Sequence, residues 1–191
     1  MPTLHHASLA SLICAAAVAA GCAAAPPTAY SVVTLEPTRG NSTAGTVWLV
    51  QDGAQVKLRG QITGLKPGQE HGFHIHEKGD CSSGDGVSAG GHLNPDGKPH
   101  GAPGAPHHAG DLPSLKADAS GRADVRASVA GTVLGGGPAD FAGKALIVHV
   151  SPDDYVTQPT GNSGARIACG VISARTGQDA AGRSKPLPAT Y

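Results

Sequence analysis

Aromatic side chains are scarce in this chain: two Phe, three Tyr and one Trp among 191 residues. A core without rings has to be filled by Val, Ile, Leu and Ala, and the β-branched members of that set suit strands. Net charge is missing as well. Fourteen Lys and Arg balance fourteen Asp and Glu, so the basic footprint that nucleic-acid binding needs is absent. No apolar run reaches the roughly 20 residues of a membrane-spanning helix. What is plentiful is Gly (28), Pro (15) and His (10). Short apolar runs punctuated by Gly and Pro predict strands joined by long turns. The length fits one domain with appendages.

Residues 1–22 read as an export signal: a small apolar segment over 9–20, too short to span a bilayer, followed by Ala19-Ala20-Gly21-Cys22. The small residues before Cys22 resemble a bacterial lipoprotein signal, which implies lipidation of Cys22 and anchoring to the membrane. Cleavage near Ala25, leaving a soluble product, is the rival reading. Either way the expected location is the periplasm or cell envelope. Residues 23–31 (AAAPPTAYS) read as a tether, residues 32–175 as the folded domain and residues 176–191 as a flexible tail. Export also shapes the cysteine count. With Cys14 and Cys22 assigned to the signal, Cys81 and Cys169 remain as a pair. An oxidising compartment predicts a disulfide between them, and a two-cysteine metal site is the alternative.

Alternating patterns predict strands at 45–50, 56–62, 73–76, 125–129, 144–150 and 167–172. Two long segments interrupt them. Residues 77–114 hold Gly, Pro, His and Asp with little apolar content, and residues 151–165 separate the last two strands. Long loops inside a compact domain are commonly functional. The expected fold is therefore all-β, a Greek-key sandwich or flattened barrel with two long functional loops.

The histidines carry the chemistry. His74 and His76 alternate with Phe73 and Ile75, so on a strand both imidazoles share one face, about 7 Å apart. His92, His100, His107, His108 and Asp111 follow in the first long loop, and His149 lies on a later strand. Imidazoles with one carboxylate suit zinc and copper. A solvated histidine-rich loop with loose metal affinity is the plain alternative.

The segments HGFHIHEKGDC, GGHLNP, HHAGDLP, ALIVHVSPDD and GNSGARIACGVI, in that order over 32–173, resemble the copper/zinc superoxide dismutases, in particular the exported bacterial branch with its immunoglobulin-like fold. The resemblance implies one copper and one zinc ion per subunit. It assigns copper to His74, His76, His92 and His149, and zinc to His92, His100, His108 and Asp111, with His92 bridging. His108 takes the zinc role over its neighbour His107 because Gly-Asp-Leu follows at the family's spacing. Cys81 and Cys169 match the family's disulfide. Asp153 resembles the carboxylate linking a copper ligand to a zinc ligand, and Arg166 the arginine beside the copper. His71 resembles a structural histidine. His92 and Arg166 are thus the expected catalytic residues, superoxide the expected substrate, and a homodimer or monomer the expected assembly. An envelope protein that buffers copper and zinc without turnover is the competing function.

Overall fold

A computed structural model describes residues 29–173 and 175–176. The export signal, Cys22 and most of the tether and tail lie outside the described residues. The strands are β1 (Ala29–Pro37), β2 (Ala44–Asp52), β3 (Gln55–Thr63), β4 (Glu70–His71), β5 (Phe73–His76), β6 (Leu115–Lys116), β7 (Ala123–Ala130), β8 (Ala145–His149), β9 (Arg166–Val171) and β10 (Arg175–Thr176). One 3-10 turn, Val87–Ala89, is the only helical piece among the described residues.

The main sheet runs β5-β8-β9-β1-β2-β3-β7, with β10 beside β1, and β4 pairs with β6. All named pairs are antiparallel. The adjacencies β5–β8, β9–β1 and β3–β7 join strands that do not follow one another in the chain, which makes the connectivity Greek-key. The sheet curls into a flattened barrel whose interior holds Val33, Leu35, Val47, Leu49, Leu58, Ile62, Phe73, Ile75, Val125, Phe141, Leu146 and Val148. The period of two is clearest in β7, where buried and exposed residues alternate throughout.

Strands β5 and β8 depart from that alternation, since every residue in both is buried. One face of this pair points into the barrel with Phe73, Ile75, Leu146 and Val148. The other face carries His74, His76 and His149, and the two long loops cover it. Ala145, Ile147 and Cys169 pack on Ala89 of the first loop in a separate small cluster.

Two boundaries differ from the sequence reading. Strand β1 begins at Ala29, so residues 29–31, read as tether, belong to the sheet: Tyr30 pairs with Val50 and Ser31 with Leu49. The domain also continues past 175, because Thr176 pairs with Ala29. Backbone pairing at both ends of the described residues overrides the loose-looking composition there.

Candidate metal centre

The site is built against the free edge of β5. The first loop passes this edge twice and bonds to it through the main chain. Leu93 N–H donates to Ile75 O at 2.9 Å, Ile75 N–H to Gly110 O at 2.8 Å and Glu77 N–H to Gly91 O at 2.9 Å. These contacts set His92 opposite His76 and Asp111 opposite His74 as isolated bridges. Close approach requires glycine at 110, where any Cβ would collide with the Ile75 carbonyl. On the far side of the strand pair, β8 delivers His149. A register shift between Val148 and His149 brings Arg166 of β9 opposite it.

The result is two clusters that share one residue. The ligand-type atoms of His74, His76, His92 and His149 lie within 4.8 Å of one another, and so do those of His92, His100, His108 and Asp111. All seven residues are buried. The neighbouring His107 stays out; its Nδ1 faces the His108 carbonyl at 2.6 Å.

Hydrogen bonding fixes which nitrogen each ring turns to the cluster. A carbonyl only accepts, so the Nδ1 of His76, 2.9 Å from Gly90 O, and the Nδ1 of His149, 3.0 Å from Gly164 O, must carry the proton. Their Nε2 atoms are then lone pairs, yet they face each other at 3.3 Å. His74 donates Nε2–H to Asp153 Oδ2 at 2.7 Å, and His100 donates Nε2–H to Asp153 Oδ1 at 2.9 Å. This leaves Nδ1 of both rings without a partner, as are His92 Nε2 and His108 Nδ1. In the second cluster the Nδ1 atoms of His100 and His108 point at the same oxygen, Asp111 Oδ1, from 3.0 and 3.3 Å. Converging lone pairs in a dry interior repel unless a cation lies among them. The donor sets therefore fit metal ions: four imidazoles in one, three imidazoles and a carboxylate in the other.

For His74, His76 and His149 titration favours uncharged, electron-pair-donating rings, whereas at His100 burial is outweighed by the Asp153 and Asp111 carboxylates and the value is raised. Burial, reinforced by the neighbouring imidazoles, pushes His74 and His76 well below the ordinary imidazole value. Burial likewise lowers His149 to about 4. Asp111 is held down to about 2: burial alone would raise it, but the His92 hydrogen bond and the charges of His100 and His108 outweigh burial.

The remaining predicted residues also lie here. The Cys81–Cys169 disulfide, closing 88 residues of sequence, ties the first loop to β9. Arg166 is half-buried and donates Nη1–H to Gly86 O and Nη2–H to Gly90 O, both at 2.6 Å. Gly90 O therefore serves Arg166 and His76 together. His71 donates Nδ1–H to the His149 carbonyl at 2.8 Å, bracing the strand that delivers it. Sequence reasoning missed Tyr155, Ser114, Gln158 and Gly161. Gly161 sits at φ +65°, where a side chain would run into the Asp153 carboxylate and the His100 ring. Its legible signal was a glycine inside a ligand-bearing loop.

Comparison with known proteins agrees with this geometry. Residues 43–172 match the copper/zinc superoxide dismutase (SODC) family. The chain belongs to that family. Among curated relatives, superoxide dismutase-like protein YojM of Bacillus subtilis (strain 168) is 49% identical over 113 residues, 56% of this chain and 58% of YojM. This chain thus spans less than two thirds of that relative. The extracellular Cu-Zn superoxide dismutase of Haemonchus contortus is 41% identical over 138 residues, 68% of this chain and 73% of that protein. A crystal structure of a SOD-like protein from Bacillus subtilis superposes with a TM-score of 0.66 at 41% identity, covering 74% of this chain and 97% of the other. A copper/zinc superoxide dismutase domain accounts for the Greek-key barrel, the two loops and the paired clusters.

Proposed function

We propose that this protein is a copper/zinc superoxide dismutase of the cell envelope, converting two superoxide anions and two protons to oxygen and hydrogen peroxide. The observation that carries the reading is the undiminished donor set: two buried clusters joined at His92, in which the Nε2 atoms of His76 and His149 face each other and Nδ1 of His74, Nε2 of His92 and Nδ1 of His100 and His108 have no hydrogen-bond partner. Family membership alone carries less, because one relative is described only as dismutase-like. In the proposed assignment His74, His76, His92 and His149 hold one copper ion, and His92, His100, His108 and Asp111 hold one zinc ion. Copper supplies the one-electron redox couple that no side chain here possesses; zinc is redox-inert.

The chain's own groups do the rest. Arg166 offers a guanidinium whose two outer nitrogens are fixed by Gly86 O and Gly90 O, so it receives a small anion without reorganising. His92 turns Nε2 to the first cluster, where it holds and releases a proton while Nδ1 stays with the second cluster beside Asp111, 2.7 Å away. Asp153, 6% exposed, receives one N–H from each cluster and sets both ring orientations. Ala89 of the disulfide loop packs on Ala145 and Ile147 of β8, on the face that carries the histidines.

Export and anchoring through a lipidated Cys22, and assembly as a homodimer or monomer, complete the proposal. Export and anchoring are supported by the apolar 9–20 segment and the residues before Cys22.

Superoxide decay by stopped flow tests the reading, on protein loaded with stoichiometric copper and zinc and freed of excess copper. The expected result is rapid decay that His149→Ala abolishes. Slow decay at full occupancy of both metals would make the protein a copper- and zinc-buffering relative without turnover.

A further inference from the structure

His100 differs from the other members of the second cluster in what stands behind it. His92 bridges to β5, and His108 and Asp111 are joined by a tight turn in which Asp111 N–H donates to His108 O at 3.2 Å. His100 lies in KPHGAPGAP, a stretch of Gly and Pro in which no main-chain group of the described residues bonds to its N–H or its carbonyl. One side chain takes both. The Gln158 carboxamide accepts His100 N–H at Oε1 (2.8 Å) and donates Nε2–H to His100 O (2.9 Å), across 58 residues of sequence. Its Nε2 reaches the Val156 carbonyl at 3.2 Å, which fixes the amide within its own loop.

The same loop grips the His100 ring. Asp153 Oδ1 accepts from Nε2, and Tyr155 lies parallel to the imidazole at 6.5 Å between centroids, 7° from coplanar in orientation. Tyr155 is itself pinned: its N–H donates to Asp153 Oδ1 at 2.7 Å, and its hydroxyl sits 2.7 Å from Ser114 N and 3.0 Å from Ser114 Oγ. The 151–165 loop leads directly into Arg166 and carries Gly164, whose carbonyl orients His149.

We propose that Gln158 is a positioning residue for the second metal: by clamping both backbone groups of His100 it sets zinc retention, and it fastens the zinc cluster to the loop that leads into Arg166. The inference rests on the ligand assignment proposed above. An unclamped His100 would have to be ordered by the metal itself, and that ordering entropy is subtracted from binding. Partners one step out from a metal ligand commonly alter affinity by roughly 10–100-fold. Gln158 is exposed and absent from the core, so its truncation leaves packing intact.

The test uses full-length protein, first stripped of metal. Zinc affinity is measured by competition with a chromophoric chelator, and cobalt(II) placed in the second cluster reports its ligand field through visible absorption. Gln158→Ala is expected to bind zinc roughly 10–100-fold more weakly and to shift the cobalt bands. Copper(II) absorption and the melting temperature of the metal-free protein should stay as in wild type. Gln158→Glu, which keeps the acceptor for His100 N–H and loses the donor, should recover part of the affinity. Equal zinc affinity and cobalt spectra in wild type and Gln158→Ala would overturn the clamp alone. A fall in metal-free stability in step with zinc loss would make Gln158 a general brace and overturn its assignment to the site. Wild-type protein that holds no zinc in the second cluster would overturn the ligand set, and the clamp with it.

Discussion

Asp153 shows how much one side chain decides in this site. Its two oxygens accept N–H groups from rings belonging to different clusters, His74 at 2.7 Å and His100 at 2.9 Å. Both bonds force the proton onto the distal nitrogen and leave Nδ1 as the lone pair that faces inward. Asparagine has the same shape but only one acceptor; its amide would confront a ring N–H with a second donor. One imidazole then loses its bond or flips its tautomer and presents N–H where an electron pair is required. Asp153→Asn is therefore expected to weaken zinc binding by roughly 10–100-fold and to shift the copper(II) absorption through His74. Metal analysis after dialysis and a visible spectrum check both. Unchanged occupancy together with an unchanged spectrum would remove Asp153 from the role of link.

At the scale of elements, the first loop is held by three kinds of attachment to what it covers. The main chain is laid along β5, Arg166 of β9 grips Gly86 and Gly90, and the disulfide joins Cys81 to Cys169. Closing 88 residues of sequence stabilises by about 4–5 kcal/mol on the chain-entropy account. Replacing both cysteines with serine should lower the urea-unfolding free energy by about that amount. The slope with denaturant should rise, since the unfolded chain freed of its cross-link expands and exposes more surface. A loss under about 1 kcal/mol would mean that the Arg166 and main-chain contacts restrain the loop without the disulfide.

The elements also separate what a sequence displays from what it hides. Strands β2, β3, β5, β7, β8 and β9 were legible because alternation or an apolar run persists over four residues or more. Strand β1 alternates too, with Val33 and Leu35 inward. Its inward Ser31 and the preceding Pro/Ala stretch blurred the pattern, and β4, β6 and β10 are two residues each, too short for any period. The histidines could be read as metal-ligand candidates from their type, order and spacing. Which nitrogen each offers could not, because carbonyls of Gly90 and Gly164 decide it. Gln158 was hidden for a related reason: it recognises the backbone of His100, and a backbone contact leaves no mark on residue type.

For the whole molecule, the cost of this architecture is a cavity of uncharged imidazoles that acid must charge. His74, His76 and His149 all have folded values below the usual 6.5, His149 at about 4. The unfolded chain therefore binds protons first, so this contribution is complete above about pH 6.5 and is lost as pH falls toward 4. His149 alone accounts for roughly 3 kcal/mol at about 1.4 kcal/mol per unit. His108 is lowered as well and acts in the same sense, whereas His100 is raised: burial opposes its charge, but the Asp153 hydrogen bond and Asp111 prevail. Its contribution has the opposite sign, present below the unfolded value and lost as pH rises, and one such group does not offset four. Asp111, at about 2, adds a loss only below the ordinary carboxylate range. The metal-free protein should consequently melt at a lower temperature at pH 4.5 than at pH 7. The metal-loaded protein should release its ions over the same interval, because protons and metal compete for the same lone pairs. Calorimetry of both forms across pH 4–7.5 measures this directly. A metal-free melting temperature that is flat or rises on acidification would show that the imidazoles are already protonated in the fold, so that metal ions would have to displace those protons to bind.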